Sequence, residues 1–486
     1  MNKYVYDKNK LPVPVLCGHE DWLSIYYKAW ELAFSNVAYI EKENWKPLLT
    51  CYPGLNTVWQ WDSCIMTFIT NYSNGTISAF NNLDNIYRLR RESDGFIGMA
   101  YSIDTENEAY PGRINPPLMA WAEWEYFLVS GDSSRFTEVL PAIEGCFSFI
   151  ENNRRRVCGL YWFEDPGSSG MDNSPRGGYE SAALNGSDVC FLDLACQQAM
   201  SAKYIGFIYD YLGNTQKAEF YATEYKRICD LINTYHWCEK TDFYYDFFAR
   251  HTKKFKNKFI NTKTAAAFWT VLSGAATGER LKSVISHMFN TEEFYTYVPF
   301  ASLSKDDLNY DKTGGYWLGG VWAPTNFAAI RGLSESGFPD LARESAIKYL
   351  DAICRVNENP EYGTIWEVYA PESHKPSTCE NGEICNRDFV GWSGIAPITM
   401  LIENIIGLRF CAKNNTIYFN VPKEPCGLRN MYFNGGTVSV ECTKYESCKN
   451  KTEIVITVEK PVTLNIKTDY SNITFDIAEG THTLFV

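Results

Sequence analysis

The sequence predicts a mainly α fold: an (α/α)6 barrel followed by a small C-terminal antiparallel β-sandwich. Three observations lead there. Between Glu20 and about Leu408, apolar residues recur at helical spacing in twelve segments. The connections between those segments alternate between short and long. After Leu408 the text turns to brief β-branched alternations such as "TIYFNVP", "GTVSVECT", "EIVITVE" and "VTLNIKT".

The helical segments run roughly over 20–44, 60–72, 74–91, 117–130, 133–154, 186–212, 214–238, 262–274, 278–290, 322–335, 338–356 and 391–408. Links such as "LSGAATGER" and "LSESGFPD" are short enough to force antiparallel neighbours. Six helical hairpins in succession close into an outer and an inner ring, which puts all six long connections at one end. Long loops in a compact domain usually carry function. The expected division is a catalytic barrel over 1–408 and a sandwich over 409–486. About eight strands fit in that last stretch, and it holds few groups able to do chemistry, so a stabilising role is its default.

Composition narrows the class. Hydrophobic residues make up 45% and charged residues 21% of the 486, as in a soluble globular protein. The net charge of −13, with no basic run longer than Arg154–Arg156, argues against a nucleic-acid partner or an anionic membrane. The N-terminal text lacks a signal-peptide core, and no apolar run is long enough to span a bilayer. The sixteen cysteines show no metal-ligand spacing, so a cytoplasmic protein with reduced, mostly buried thiols is expected. Cys379 and Cys385 share one loop, and the same compartment argument weighs against their pairing.

The long loops collect aromatic residues and isolated carboxylates. The first ends in "NTVWQWDSCIM", with Trp59, Trp61 and Asp62, and the second in "PGRINPPLMAWA", with Asn115. The third, "SSGMDNSPRGGYE", presents Asp172 with Asn173 and Arg176. The fifth ends in "TGGYWLGGVWAPTNF", with Tyr316, Trp317 and Trp322. The sixth opens with "GTIWEVYAPES", with Trp366, Glu367 and Tyr369, and closes on Trp392 in "FVGWSG". Taken singly, Asp62 reads as a helix cap, Asp172 as an Asx turn and Glu367 as a solvated charge. Their arrangement on five loops of one face is what points to a site.

Aromatic faces beside hydrogen-bonding side chains suit sugars. A pair of opposed carboxyl groups suits glycoside hydrolysis, in which one protonates the leaving oxygen while the other activates water or attacks the anomeric carbon. No metal or organic cofactor is needed for that chemistry, and a small saccharide is the expected partner. A phosphorylase on the same barrel needs a basic phosphate pocket and no carboxylate base. An epimerase would rely on histidines, and of the six (19, 236, 251, 287, 374 and 482) only His374 falls in these loops. A non-catalytic sugar-binding protein would have no use for an opposed acid and base.

The motif "GMDNSPR" (170–176) resembles the general-acid loop of glycoside hydrolase family 63, which is related to the family 37 trehalases. "WQWDS", "NPPLMAWA", "GGYWLGGVWAPTNF", "WEVYAP" and "GWS" are similar to that family's remaining motifs, in the same order, over most of residues 55–400. The resemblance implies the (α/α)6 barrel and an inverting, exo-acting hydrolase of a small α-linked saccharide, an α-glucoside first. Family substrates include oligosaccharides, glucosylglycerate and mannosylglycerate. Carried over by motif, Asp172 is the general acid and Glu367 the general base. Trp59, Trp61 and Asp62 line the subsite of the cleaved sugar, with Trp317 and Trp322 behind it, and Arg176 orients or hydrogen-bonds substrate. Inversion needs room for water between the carboxyl groups, roughly 6.5–9.5 Å, and an acid with a raised pKa. Asn115, Gly177, Gly178 and Leu318 depart from the family pattern, and the loss of a cation at 318 weakens the case for an anionic aglycone.

Overall fold

Helices of two kinds organise the chain, and their burial separates them. The computed structural model describes residues 3–177, 188–249, 259–448 and 451–486. Among the described residues the twelve helices are α1 Glu20–Ser35, α2 Gln60–Thr70, α3 Phe80–Leu89, α4 Met119–Ser130, α5 Arg135–Asn153, α6 Leu192–Tyr211, α7 Thr215–Tyr235, α8 Trp269–Ser273, α9 Gly278–Met288, α10 Ala323–Glu335, α11 Pro339–Glu358 and α12 Ala396–Ile406. Every residue of α2 and α12 is buried, as are most of those in α6 and α10. Helices α7 and α9 bury one stripe only: Tyr221, Ile228 and Ile232 in one, Val284, Ile285 and Met288 in the other. A helix apolar all round belongs inside, and a striped one outside.

The contacts follow that division. Helix α2 packs on α4, α4 on α6, α6 on α8, α8 on α10, α10 on α12, and α12 in turn on α2. The others lie against these: α3 on α2, α5 on α4 and α6, α7 on α6, α11 on α10 and α12, and α1 on α11 and α12. A buried ion network ties three of the inner helices together at one end. Arg331 of α10 reaches Glu125 of α4 and Glu403 of α12, and Glu403 also accepts from Tyr72 at 2.6 Å and from Arg409 at 2.9 Å.

Boundaries moved where backbone chemistry overrode apolar spacing. Helix α1 stops at Ser35, short of the predicted 44, because Val37–Ala38 pairs with Leu48–Leu49. Helix α3 begins at Phe80, not 74, since Asn74 and Gly75 adopt left-handed turn conformations (φ 52° and 75°). The predicted eighth helix is a 3₁₀ turn, Ala265–Phe268, running into α8. Helix α12 is wound more loosely than an α-helix, with Gly407 N–H closing on Ile402 O at 3.1 Å. Residues 186 and 187 of the predicted sixth helix lie outside the described residues, and α6 starts at Leu192 after the short pair Val189–Cys190.

Beyond the helices lie eight strands among the described residues, as the alternation predicted: β2 Leu408–Cys411, β3 Thr416–Asn420, β4 Cys426–Phe433, β5 Gly436–Lys444, β6 Glu453–Val458, β7 Val462–Lys467, β8 Asn472–Ile477 and β9 Gly480–Phe485. A ninth, β1 Val13–Leu16, comes from the N-terminus and pairs antiparallel with β4, Val13 opposite Arg429. The sheets run β1-β4-β5-β6-β9 and β2-β3-β7-β8. Two expectations change here. A cut at residue 408 misses β1, which belongs by pairing to the C-terminal sheet. The region is also not wholly antiparallel: β3 and β7 run parallel, Ile417 opposite Leu464. Strands β4–β6 cross to the other sheet between them, and a parallel pair needs such an excursion.

Candidate active site

A cavity of about 540 Å³ opens among the long connections. Its walls come from the loops before α2, α4, α6, α10 and α12, the same five that carry the sequence motifs. Trp59, Trp61, Asp62, Asp172, Tyr316, Trp317, Trp322, Glu367 and Trp392 all line it.

The Asp172 loop is held from behind. Asp165 starts a 3₁₀ turn, Pro166–Ser169, accepting from Ser168 N–H at 3.0 Å. Gly170 then turns the chain at φ 79°, where a Cβ would fall 2.4 Å from Trp61 Cζ2. Only glycine lets the loop pass that close to an indole. Asn173 bridges to the fifth loop, donating to Gly315 O at 2.9 Å and accepting from Trp317 N–H at 2.8 Å. Arg176, fully buried, grips Asp193 at 2.5 and 2.9 Å and Asp246 at 2.8 and 2.9 Å. It therefore anchors the loop and does not reach the cavity, contrary to the role expected from its motif.

Glu367 is fixed through its backbone and both carboxylate oxygens. Trp392 Nε1 donates to Glu367 O at 2.8 Å and Ser393 Oγ at 3.1 Å, which gives the "GWS" motif its structural meaning. Asn386 donates to Oε2 through its backbone N–H (3.2 Å) and its side chain (2.7 Å), while Tyr316 hydroxyl donates to Oε1 at 3.2 Å. Tyr316 itself sits in the left-handed region at φ 66°, which costs a residue with a side chain about 1–2 kcal/mol. Gly314 and Gly315 before it, also at positive φ, and the bond from Tyr316 N–H to Thr378 O at 2.7 Å hold it there.

Aromatic surface makes the rest of the wall. Trp317 and Trp322 stack in parallel at 4.1 Å, and Trp392 meets Trp322 edge-on at 5.5 Å and Trp61 at 6.0 Å. Trp59 leans on Tyr110 at 5.3 Å.

Of the four carboxyl groups that line this space, Asp62, Asp172 and Glu367 are pushed toward neutrality, and burial is the main cause for each. Asp172 is pushed up to about 7 by its enclosed position and by the negative charges of Glu380, Glu367 and Asp165, against hydrogen bonding from Tyr316. Its side chain still meets the solvent in the cavity. Asp62, buried in the first turn of α2, is also pushed up to about 7, although Cys51 donates to it at 3.3 Å. Glu367 is raised by burial, with the Asn386 and Tyr316 donors working the other way. Raised carboxyl groups of this kind keep protons closer to neutral pH than exposed ones do, which is what acid chemistry requires.

Other expected residues lie off the cavity. Asn115 is buried and donates to Ser168 O at 3.0 Å, supporting the Asp172 loop. Trp366 is buried with Nε1 on Tyr362 O at 3.3 Å. Gly178 and His251 are outside the described residues. Sequence reasoning missed Tyr52, Arg113, Asp165, Asn386 and Phe389, which also line the cavity. Arg113 stands inside the quoted stretch before α4 and Asp165 a few residues ahead of the Asp172 motif, so a reading of every charge in those loops would have found them.

A family model described as the mannosylglycerate hydrolase MGH1-like glycoside hydrolase domain matches residues 56–390. The chain is a family 63 glycoside hydrolase. This glycosidase is 29% identical over 405 residues to an uncharacterised protein of Borreliella burgdorferi, covering 79% of each chain. It is 24% identical over 300 residues to a probable mannosyl-oligosaccharide glucosidase of Schizosaccharomyces pombe, a match covering 60% of this chain and 34% of that one. In fold it resembles the family 63 mannosylglycerate hydrolase of Thermus thermophilus in complex with glucose, at TM-score 0.62 and 17% identity, over 77% of this chain and all of that one. Among the described residues no helix is long and apolar enough to cross a membrane.

Proposed function

We propose that this enzyme is an inverting, exo-acting glycosidase that cleaves a small α-linked saccharide, an α-glucoside first among them, with Asp172 as acid and Glu367 as base. The observation that carries this reading is that both carboxyl groups face one aromatic-walled cavity, where the Tyr316 hydroxyl donates to Glu367 at 3.2 Å. Asp172, pushed up to about 7, keeps its proton in a large share of molecules near neutral pH and passes it to the glycosidic oxygen as the bond to the anomeric carbon breaks. Water bonds that carbon from the opposite face and loses its proton to Glu367, so the sugar leaves with inverted configuration. Asp62 binds the sugar undergoing cleavage, and the indoles pack against its C–H faces.

The packing of α2, α4, α6, α8, α10 and α12 in sequence supports the inner ring of an (α/α)6 barrel within 1–408, apart from β1, which joins the C-terminal sheets in a sandwich. The test is hydrolysis of a panel of α-glucosides and α-mannosides by the wild type, Asp172→Asn and Glu367→Gln. Both variants should lose about 10²–10⁴-fold in kcat, the contribution typical of a positioned acid or base. Retention of a tenth of the activity by either variant would remove that residue from the mechanism.

A further inference from the structure

Two charged side chains stand beside the acid. Arg113 pairs with Asp165 through both edges, Nη1 to Oδ1 at 3.2 Å and Nη2 to Oδ2 at 2.7 Å. Both side chains are about a third exposed, at 35% and 38%, and both line the cavity. Their distance from the acid is readable at Gly167. A Cβ there would sit 3.2 Å from Asp165 Oδ1, 3.3 Å from Asp172 Oδ1 and 3.9 Å from Arg113 Nη1. The three groups thus converge on a residue whose lack of a side chain leaves the space between them open.

We propose that the enzyme selects an uncharged, hydroxyl-bearing leaving group over an anionic one, and that Asp165, by matching Arg113, sets that choice. The inference rests on Asp172 being the acid, because a general acid must stand on the leaving-group side of the bond it protonates. Among the described cavity residues Arg113 carries the sole positive charge, against carboxyl groups at Asp62, Asp165, Asp172 and Glu367. The bidentate contact commits the guanidinium fork to Asp165. Asp165 is itself held in place by Ser168 N–H. A substrate carboxylate would have to displace Asp165 or sit in a field that Glu380 makes still more negative, since Glu380 is the charge acting most strongly on Asp172. A polyol meets no such penalty. Its hydroxyl groups donate to Asp165 and accept from the guanidinium N–H groups that remain free.

The test uses two substrates of nearly equal size, α-glucosylglycerol and α-glucosylglycerate, which differ by a hydroxymethyl group against a carboxylate. The wild type should favour the glycerol conjugate by about tenfold or more in kcat/KM, a preference that added salt reduces. Asp165→Asn keeps an oxygen for Ser168 and frees the charge of Arg113. It should narrow the ratio by about tenfold, chiefly by lowering KM for the glycerate conjugate, while Arg113→Gln should widen it. Where turnover is too slow to measure, the same ratio is read calorimetrically from binding to Asp172→Asn. A wild-type preference for the glycerate conjugate, or an Asp165→Asn variant that changes both substrates equally, would overturn the proposal. Full activity in Asp172→Asn is a separate result, and it would overturn the acid assignment beneath it.

Discussion

Replacing Arg176 by methionine removes a guanidinium that makes four hydrogen bonds to two buried carboxylates and leaves both without a cation. Breaking one buried pair by deleting one partner costs about 3–5 kcal/mol, because the surviving charge stays buried. Two survive here. The start of α6 softens the loss, since Leu192 N–H donates to Asp246 at 2.8 Å and Leu194 N–H to Asp193 at 2.9 Å, and a helix N-terminus favours negative charge. The expected cost is therefore near the lower figure, about 3 kcal/mol. Urea unfolding of wild type and Arg176→Met measures it, and adding Asp193→Asn to the variant should recover part of the loss by removing one orphaned charge. Activity should fall with stability, because the same arginine holds the acid loop. A cost under about 1 kcal/mol, the range of a surface pair, would refute the reasoning.

Four further outcomes are expected. Tyr316→Phe removes a donor that favours the ionised form of both Asp172 and Glu367, so both limbs of the pH–rate profile should move to higher pH; opposite movements would contradict the shared hydroxyl. Glu380→Gln removes a negative charge that raises the Asp172 pKa, so the alkaline limb near 7 should move to lower pH, by less in high salt. Gly170→Ala puts a methyl group 2.4 Å from Trp61 at a positive φ, and should cut kcat by at least about tenfold while circular dichroism stays native. Asp172 is raised from 3.8 to about 7, so its folded form binds the extra proton between those values and its ionisation costs stability as pH rises. Asp172→Asn should accordingly unfold at a higher temperature than wild type at pH 8 and show little difference at pH 4; the reverse order would refute the raised pKa.

Much of this architecture was legible in the text because burial leaves a strong imprint. The twelve helices and eight late strands follow apolar spacing, and the spacing failed where a turn residue or short strand pairing intervened, as at Asn74–Gly75 and Val37–Ala38. Strand β1 was missed because four residues, one of them Pro14, carry too short an alternation to read. In the site, residue type identified the carboxylates and indoles but not their orientation. Arg176 and Asn173 sit in the same motif as Asp172, yet one is buried behind the loop and the other ties it to Trp317. Asn386 escaped because it reaches Glu367 only through the fold of the sixth loop, where Glu367 N–H also donates to Asn386 O at 2.9 Å.

The central claim is that Asp172 and Glu367 act across one bond with water between them. Proton NMR of fresh reaction mixtures, following the anomeric signals of the sugar released from an α-glucoside, tests it most directly. The account predicts the β-anomer first, with the α-anomer growing in only by mutarotation. Release of the α-anomer first would mean retention, and would contradict the roles given to both carboxyl groups.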